Sequence, residues 1–371
     1  MAKVRLGDVA IERKETSKNN QSLPTVGLEH LIPGEVTLTQ WEENSNNTFT
    51  KVFRKGDVLF GRRRAYLKKA AVAKMDGICS GDITVIAAKP EKIKPDLLPF
   101  IIQNDDFFVF AVEKSAGSLS PRAKWQYLKD YEFNLPDLDE QERLSEILWA
   151  IQDTKHAYQR LLKRTDELVK SQFIVEFQHI DKDDYRDLKE VCTLITDGTH
   201  NPPKFVDEGI PFLLVSNITD DVVTYETTKY ITEETYDELM KRTPIEIGDV
   251  LLSTVGSYGH PAVVIDDRKF AFQRHIAHLK PNRSLIDSRY LHTAILSTDV
   301  QEQIDTLVLG VAQKTLNLSA IKKIRIPLPT MDEQTGFVRF VEQSDKSKFE
   351  LENAIKELTA TYKRIVADSF S

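Results

Sequence analysis

Two segments of the chain carry apolar residues at alternating steps of four and three. The first runs Leu144, Leu148, Ile151, Lys155, Tyr158, Leu162, Thr165, Val169. The second runs Phe337, Val341, Ser344, Lys348, Leu351, Ile355, Leu358, Tyr362, Ile365. A mean step of 3.5 is coiled-coil spacing, so each segment is predicted to be a helix with one apolar seam. Each helix has about 35–40 residues, or roughly 50–60 Å at ~1.5 Å per residue. Lys155 and Lys348 interrupt the two seams, and a lysine there costs stability while fixing register. Asp139 and Asp332 are expected as N-terminal caps or first-turn acids. A long helix with one apolar stripe must bury it, and the simplest arrangement packs the two helices on each other antiparallel.

Ahead of each helix the pattern shortens to strand-like runs broken by turn signals: "VLFG", "ITVIAA" and "YEFNLP" first, then "PFLLVSNI", "GDVLLS", "AVVI" and "IAHL". "EETYDELMKR" reads as a polar helix between strands. These runs recur. "FNLPDLDEQERLSEIL" from Phe133 matches "IPLPTMDEQTGFVRFV" from Ile326, a shift of 193 that also aligns Gly117 with Gly310 and Lys129 with Lys322. "KGDVLF" answers "IGDVLL" at a shift of 192, which also aligns Tyr66 with Tyr258. The chain is therefore two copies of one plan: a mixed globular unit, a Leu-Pro exit, then a long helix. The expected class is α+β, with two mixed α/β domains in an internal pseudo-twofold repeat, separated by two long antiparallel coiled-coil helices. The expected boundaries are residues 1–136, 137–180, 181–329 and 330–371.

With 371 residues the chain is long enough for two sizeable cores. Its net charge of −7 excludes a generally cationic DNA coater, so any nucleic-acid site must be local. Cys79 and Cys192 are far apart and outside any C-x-x-C, which argues against structural zinc and a disulfide framework. No apolar run suits a signal peptide or a membrane span, so a cytoplasmic location is the expectation.

Against the acidic background one stretch is basic: "GDVLFGRRRAYLKKAAV", with Arg62, Arg63, Arg64, Lys68 and Lys69 around Tyr66. Such cations neutralise phosphates, and arginine also grips guanine bidentately. The repeat aligns this stretch with Ser253, Thr254, Gly256, Ser257 and Tyr258, where close backbone approach through Gly256 and Gly259 would replace charge. A second pair of loops also matches: Ser118, Ser120, Arg122 and Lys124 against Gln313, Lys314 and Asn317, with Gln273 and Arg274 beside the second glycine loop. Those side chains suit phosphates and base edges. Two readers held apart fit a two-part DNA target, since dimeric readers sit one helical turn, ~34 Å, apart.

The order of these motifs resembles the specificity (S) subunits of type I restriction–modification systems. "LITDGTHNPPKFVDEGIPFLLVSNI", "GDVLLSTVGSYG", "LGVAQKTLNLSAIKKIRIPLP" and the D-E-Q helix start carry the likeness in the second copy. "KGDVLFGRRRAYLKK", "SAGSLSPRAKWQYLKDYEFNLP" and D-E-Q carry it in the first. The resemblance implies a subunit without cofactor or chemistry, whose two target-recognition domains read a bipartite sequence in double-stranded DNA. It also implies that the helices, through Leu144, Leu148, Ile151, Lys155, Tyr158, Leu162, Phe337, Val341, Lys348, Leu351, Ile355 and Leu358, pair and dock two modification (M) subunits. Those are S-adenosylmethionine-dependent adenine methyltransferases, which motor–nuclease (R) subunits join.

Three motifs are weighed against that reading. "NPPK" (Asn201–Lys204) evokes the N-P-P-aromatic loop of adenine methyltransferases, but Lys204 replaces the aromatic and no glycine-rich turn for a methyl donor is present. A proline-stiffened loop is the better reading. His275 and His278 lie three apart, which on a strand puts them on opposite faces and argues against a shared metal. "IDDRK" reads as a solvated turn. The rival functions are a complete adenine-N6 methyltransferase or nuclease, and a coiled-coil scaffold without DNA specificity.

Overall fold

A computed structural model describes residues 2–17, 23–43, 48–116, 121–218, 222–308, 310 and 314–371. The chain divides into two compact units, Met1–Arg160 with Leu351–Ser371, and Leu161–Glu350. Each unit takes a globular part together with a portion of both long helices.

The centre of the first unit is a four-stranded antiparallel sheet in the order Ala10–Glu12, Ile83–Ala88, Val58–Gly61, Ala70–Val72. Its central strands are apolar without alternation because both faces are covered. Val58, Phe60 and Ile86 point into one core with Phe100 and Phe107. Leu59, Ile83 and Val85 point into another with Leu31 and Phe53. The second unit repeats the sheet as Cys192–Asp197, Ile276–Pro281, Val250–Ser253, Pro261–Val263. There Val250 and Leu252 face one core and Leu251 the other.

Each unit also closes its start onto its exit: Ala2–Arg5 pairs with Glu132–Leu135, and Arg186–Asp187 with Arg325–Ile326. A small three-stranded sheet is where the copies diverge. In the first unit Thr25–Val26 runs parallel to Gly77–Cys79, and Lys51–Phe53 adds beyond Gly77–Cys79. In the second, Ile210–Leu213 runs parallel to Ala271–Phe272, and Tyr230–Ile231 adds on the opposite side, against Ile210–Leu213. The strand-like reading of "PFLLVSNI" holds only at its start, since Val215–Asn217 is a 3-10 turn.

The long helices are Leu138–Phe177 and Met331–Phe370, 40 residues each. Asp139 and Asp332 are first-turn acids, not caps. The caps stand just before: the Glu140 N–H donates to Asp137 Oδ1 at 3.0 Å, while Thr330 and Glu333 form a reciprocal capping box.

Within the first unit Leu144 and Leu148 share a core with Val366 and Phe370, and the Phe100 ring lies 5.0 Å from Trp149 and 6.0 Å from Tyr362. Within the second, Phe173, Phe177, Tyr290 and Phe337 form one aromatic cluster with ring centroids 5.0–6.3 Å apart. Asp166 meets Lys348 and Phe173 meets Phe337, so the helices run antiparallel there.

Val341 and Ser344 are buried, while Ile151, Tyr158, Leu162, Thr165, Val169, Leu351, Ile355 and Leu358 are half-buried. The two seam lysines find acids of different origin. Lys155 lies 3.6 Å from Glu35 of the globular part, and Lys348 lies 3.1 Å from Asp166 on the facing helix and 3.0 Å from Asp345. Burial opposes the Lys348 charge, but its bonds to Asp345 and Asp166 outweigh that and hold its pKa above the usual lysine value. Among the described residues no helix is long and apolar enough to cross a membrane.

Candidate nucleic-acid interface

In both units the loop that follows the Gly-Asp-Val-Leu strand crosses a second loop about 60 residues further on. In the first unit the Arg62 N–H donates to the Asp82 carbonyl at 3.0 Å, the Ala123 N–H to the Arg62 carbonyl at 2.9 Å, and the Arg64 N–H to the Pro121 carbonyl at 3.0 Å. In the second unit the Thr254 N–H donates to the His275 carbonyl at 3.0 Å and the Leu316 N–H to the Thr254 carbonyl at 2.8 Å. The bridges Arg63 to Arg122 and Val255 to Thr315 are equivalent under the repeat. Three separate sequence stretches thus meet at one place in each unit.

The aspartate of the repeated motif anchors the opposite end of that strand in each unit, just before Val58–Gly61 and Val250–Ser253. Asp57 is buried; it accepts from the Arg54 N–H at 2.8 Å and takes Arg13 on both oxygens at 2.6 and 3.0 Å. Asp249 is buried too, accepting from the Glu246 N–H at 2.9 Å, with His278 Nε2 2.7 Å away. His278 is consumed by this pair, and His275 lies outside the strand. Among the described residues no group of three metal-ligating side chains occurs. Asn201 and Lys204 lie in an exposed turn, where the Thr199 hydroxyl bonds the Asn201 carbonyl at 2.8 Å.

The basic stretch is less bare than it reads in sequence, because folding brings acids to it. Arg122 Nε donates to Asp82 Oδ1 at 2.8 Å, and Arg63 lies 3.7 Å from the other oxygen. The bond from Arg122, aided by the charges of Arg122, Arg63 and Arg62, holds the Asp82 carboxyl below the usual carboxylate range. Arg54 pairs with Glu15 and Asp76. Lys68 donates to Asp105 at 2.6 Å and lowers its pKa. Lys69 donates to the Leu28 carbonyl at 2.7 Å. Arg64, Tyr66 and Lys124 remain exposed.

The second unit corrects several expectations. Ser253 is fully buried and its hydroxyl accepts from the His260 N–H at 2.9 Å; Thr254 is buried as well. The Ser253 side chain does not present itself to a ligand from outside. Asn317 caps the helix Leu318–Ile321, accepting from the Ala320 N–H at 2.8 Å and from the Ser319 hydroxyl at 2.6 Å. Tyr258 donates to Asp305 at 2.8 Å under Lys314, whose Nζ lies 5.8 Å from the ring centre. Ser257 and Arg274 are exposed and Gln273 half-exposed. Thr254, Arg274 and Asn317 border one depression of about 250 Å³ with Asp197, His200 and His275. Burial and the neighbouring Arg274 hold the His275 pKa below its ordinary value, favouring the neutral ring. Ser118, Ser120 and Gln313 lie outside the described residues.

Sequence reasoning missed the acids that order these loops: Asp82 in the first unit, and in the second Asp197, which holds His200 at 2.8 Å and Arg242 at 2.5 Å. The repeat held a usable signal for Asp82, since a shift of 193 places it opposite His275, beside Gln273 and Arg274.

The chain matches the family model for the type I restriction modification DNA specificity domain twice, over residues 1–163 and 181–360. It is 29% identical over 177 residues to the type I restriction enzyme EcoBI specificity subunit of Escherichia coli, covering 47% of this chain and 37% of that one. It is 22% identical over 312 residues to the MjaVIII specificity subunit of Methanocaldococcus jannaschii, covering 76% and 72%. A further specificity subunit from that organism is matched over 45% of its length, so the chain spans less than half of two of these relatives. Among solved structures, a chain from a study of assembly and conformational transition of the type I R-M system superposes with a TM-score of 0.60 at 22% identity, covering 99% of this chain and 97% of that one. The type I S subunit from M. genitalium gives 0.57 at 12% identity, covering 100% and 96%. The solved structures share the fold, and the family model, matched over most of the chain, shows that the chain belongs to the type I restriction modification DNA specificity domain family.

Proposed function

We propose that this chain is a non-catalytic DNA-specificity subunit that reads a bipartite duplex target, one half with each globular part, residues 1–136 and 181–329. The observation that carries the reading is the recurrence of the crossed loop pair, with Arg62 to Lys69 against Arg122 and Lys124 in one copy and Ser257, Tyr258, Gln273 and Arg274 against Lys314 in the other. Two diverged copies of one platform suit two different half-sites. The first leans on arginine and tyrosine; the second offers backbone approach and neutral donors beside Arg274 and Lys314. Some of the exposed cations here hold phosphates and fix register, while contacts to base edges supply the sequence information.

In this reading the long helices dock two adenine-N6 methyltransferase (M) subunits, which bring the methyl donor, and motor–nuclease (R) subunits complete the enzyme in the cytoplasm. A surface for such docking lies on the first helix, apart from its inward seam. Leu161, Leu168 and Val175 recur every seven residues and are 45%, 52% and 59% exposed. An apolar stripe at heptad spacing left in water is a helix-packing surface without its partner.

The test is to map N6-methyladenine across a genome that carries this chain with its M subunit. A single bipartite motif is expected, and exchange of residues 1–136 for those of another S subunit should change one half only. A change in both halves, or methylation without a motif, defeats the proposal.

A further inference from the structure

Arg64 and Lys68 have left-handed backbones, φ 55° and 51°, and among the described residues they are the non-glycine positions that do. They bracket the 3-10 turn Ala65–Leu67. The second unit holds the same two bends at Gly256, φ 75°, and Gly259, φ 81°. The correspondence follows the repeat: a shift of 192 takes Arg64 to Gly256, and the shift of 191 that carries strand Ala70–Val72 onto Pro261–Val263 takes Lys68 to Gly259. A Cβ at Gly256 would meet nothing within 4 Å, so glycine is favoured there by backbone conformation and not by space. The first unit thus places an arginine in a bend whose natural occupant is glycine, and accepts the steric cost of a Cβ beside the carbonyl.

For Lys68 the fold supplies a return, because its ammonium holds Asp105 at 2.6 Å. For Arg64 it supplies none. Its side chain is exposed and, among the described residues, makes no hydrogen bond or ion pair, while Arg63, Lys68, Lys69 and Arg122 around it are all engaged. Next to it Tyr66 is 55% exposed and Leu67 41% exposed. The twin of that tyrosine, Tyr258, is tied to Asp305. The turn therefore lifts an unpaired guanidinium and two apolar side chains to one tip, and the Arg64 N–H bond to Pro121 fixes where the tip stands. Strained residues persist where the surroundings impose them, and they cluster at ligand-binding sites.

We infer that Arg64 is a specificity-determining residue of the first unit: its fork donates to the acceptor edge of a base in the groove, with Tyr66 and Leu67 packed beside it. The inference rests on the DNA-reading function proposed above. A base edge fits better than a phosphate, because a phosphate is served by any flexible cation on an unstrained backbone. A tip of arginine, tyrosine and leucine offers a fixed fork with apolar flanks, which suits the less hydrated floor of a groove.

The test uses the full chain, alone and with its M subunit, to select bound duplexes from a random-sequence DNA library at two salt concentrations. The wild type is expected to return a bipartite motif; if it returns none, the DNA-reading proposal itself fails, independently of Arg64. With the wild-type motif in hand, Arg64→Gly and Arg64→Asn, both of which tolerate a left-handed backbone, should melt within about 2 °C of the wild type. Both should lose preference at one position of one half-site and bind the original target about tenfold or more weakly. Arg64→Lys, which keeps the charge without the fork, should not restore that position. A uniform loss of affinity with an intact motif, rescue by lysine, an unchanged motif and affinity, or a fall in melting temperature for both variants would each overturn the inference.

Discussion

Gln334 accepts a hydrogen bond from the backbone N–H of Asp287 at 2.9 Å, and Asp287 in turn caps the helix Ser288–Leu296. The Gln334 amide also donates to the carbonyls of Leu285 and Pro329, each at 3.0 Å, and the side chain is fully buried. Gln141 does the same work in the first unit. It accepts from the Lys94 N–H at 2.9 Å and donates to the Pro136 carbonyl at 2.9 Å. The glutamine of each D-E-Q is therefore the bolt between a long helix and its globular part, satisfying backbone groups that no secondary structure pairs.

Gln334→Leu would leave the Pro329 carbonyl buried without a partner and the part-buried Asp287 N–H and Leu285 carbonyl without theirs, and an orphaned buried polar group costs ~1–3 kcal/mol. A loss of about 2–4 kcal/mol is expected for the second unit, read in a urea titration. A loss under about 0.5 kcal/mol would show that water or a neighbour replaces the amide.

Leu148 is fully buried, whereas Leu351 is half-buried. Leu148→Asp would place a carboxylate in the first unit's core and should unfold that unit or prevent its expression in folded form. Leu351→Asp should cost less, about 1–2 kcal/mol. Equal melting temperatures for the two variants would contradict this ordering.

Leu161 and Leu168 already face water, so Leu161→Asp with Leu168→Asp should leave the melting temperature of the isolated chain within a few degrees. Co-purification with the M subunit should be lost. Retention of the complex would move the docking surface elsewhere.

Asp82 has its folded pKa depressed, first by its bond to Arg122. A carboxylate of this kind contributes stability that is fully present above its unfolded value, about 3.9, and is lost as pH falls through the lowered folded value. Asp82→Asn should therefore melt below the wild type near neutral pH, by an amount worth about 1 kcal/mol because the pair is partly exposed. The gap should close as pH falls below about 4. A gap that stays constant from pH 7 to pH 3 would remove the carboxylate from the loop's stability.

Much of the frame was legible along the chain. The 3.5-residue period marked both long helices to within a few residues of Leu138 and Met331, and the repeat exposed two copies before any contact was known. Ser253 closes the strand Val250–Ser253, and in sequence a hydroxyl there looks alike whether it faces water or, as here, the backbone of the next loop. The helix Asp105–Glu113 and the first unit's three-stranded sheet escape a reading of the pattern, since short apolar runs do not separate helix from strand by period alone.

By itself, then, the sequence determined the repeat, the seam helices and the two-sided apolar strands, because period and apolar content are written residue by residue. Only tertiary structure decided which charges are free. Arg122 and Arg63 meet Asp82, Lys68 meets Asp105, and Lys155 and Lys348 find Glu35 and Asp166, across 19 to 182 residues of chain. Coulomb attraction falls with distance in space, and distance along the chain carries almost no information about it. That is why a run of ten residues with five cations folds into a site where Arg64 stands exposed and unpaired among the described residues.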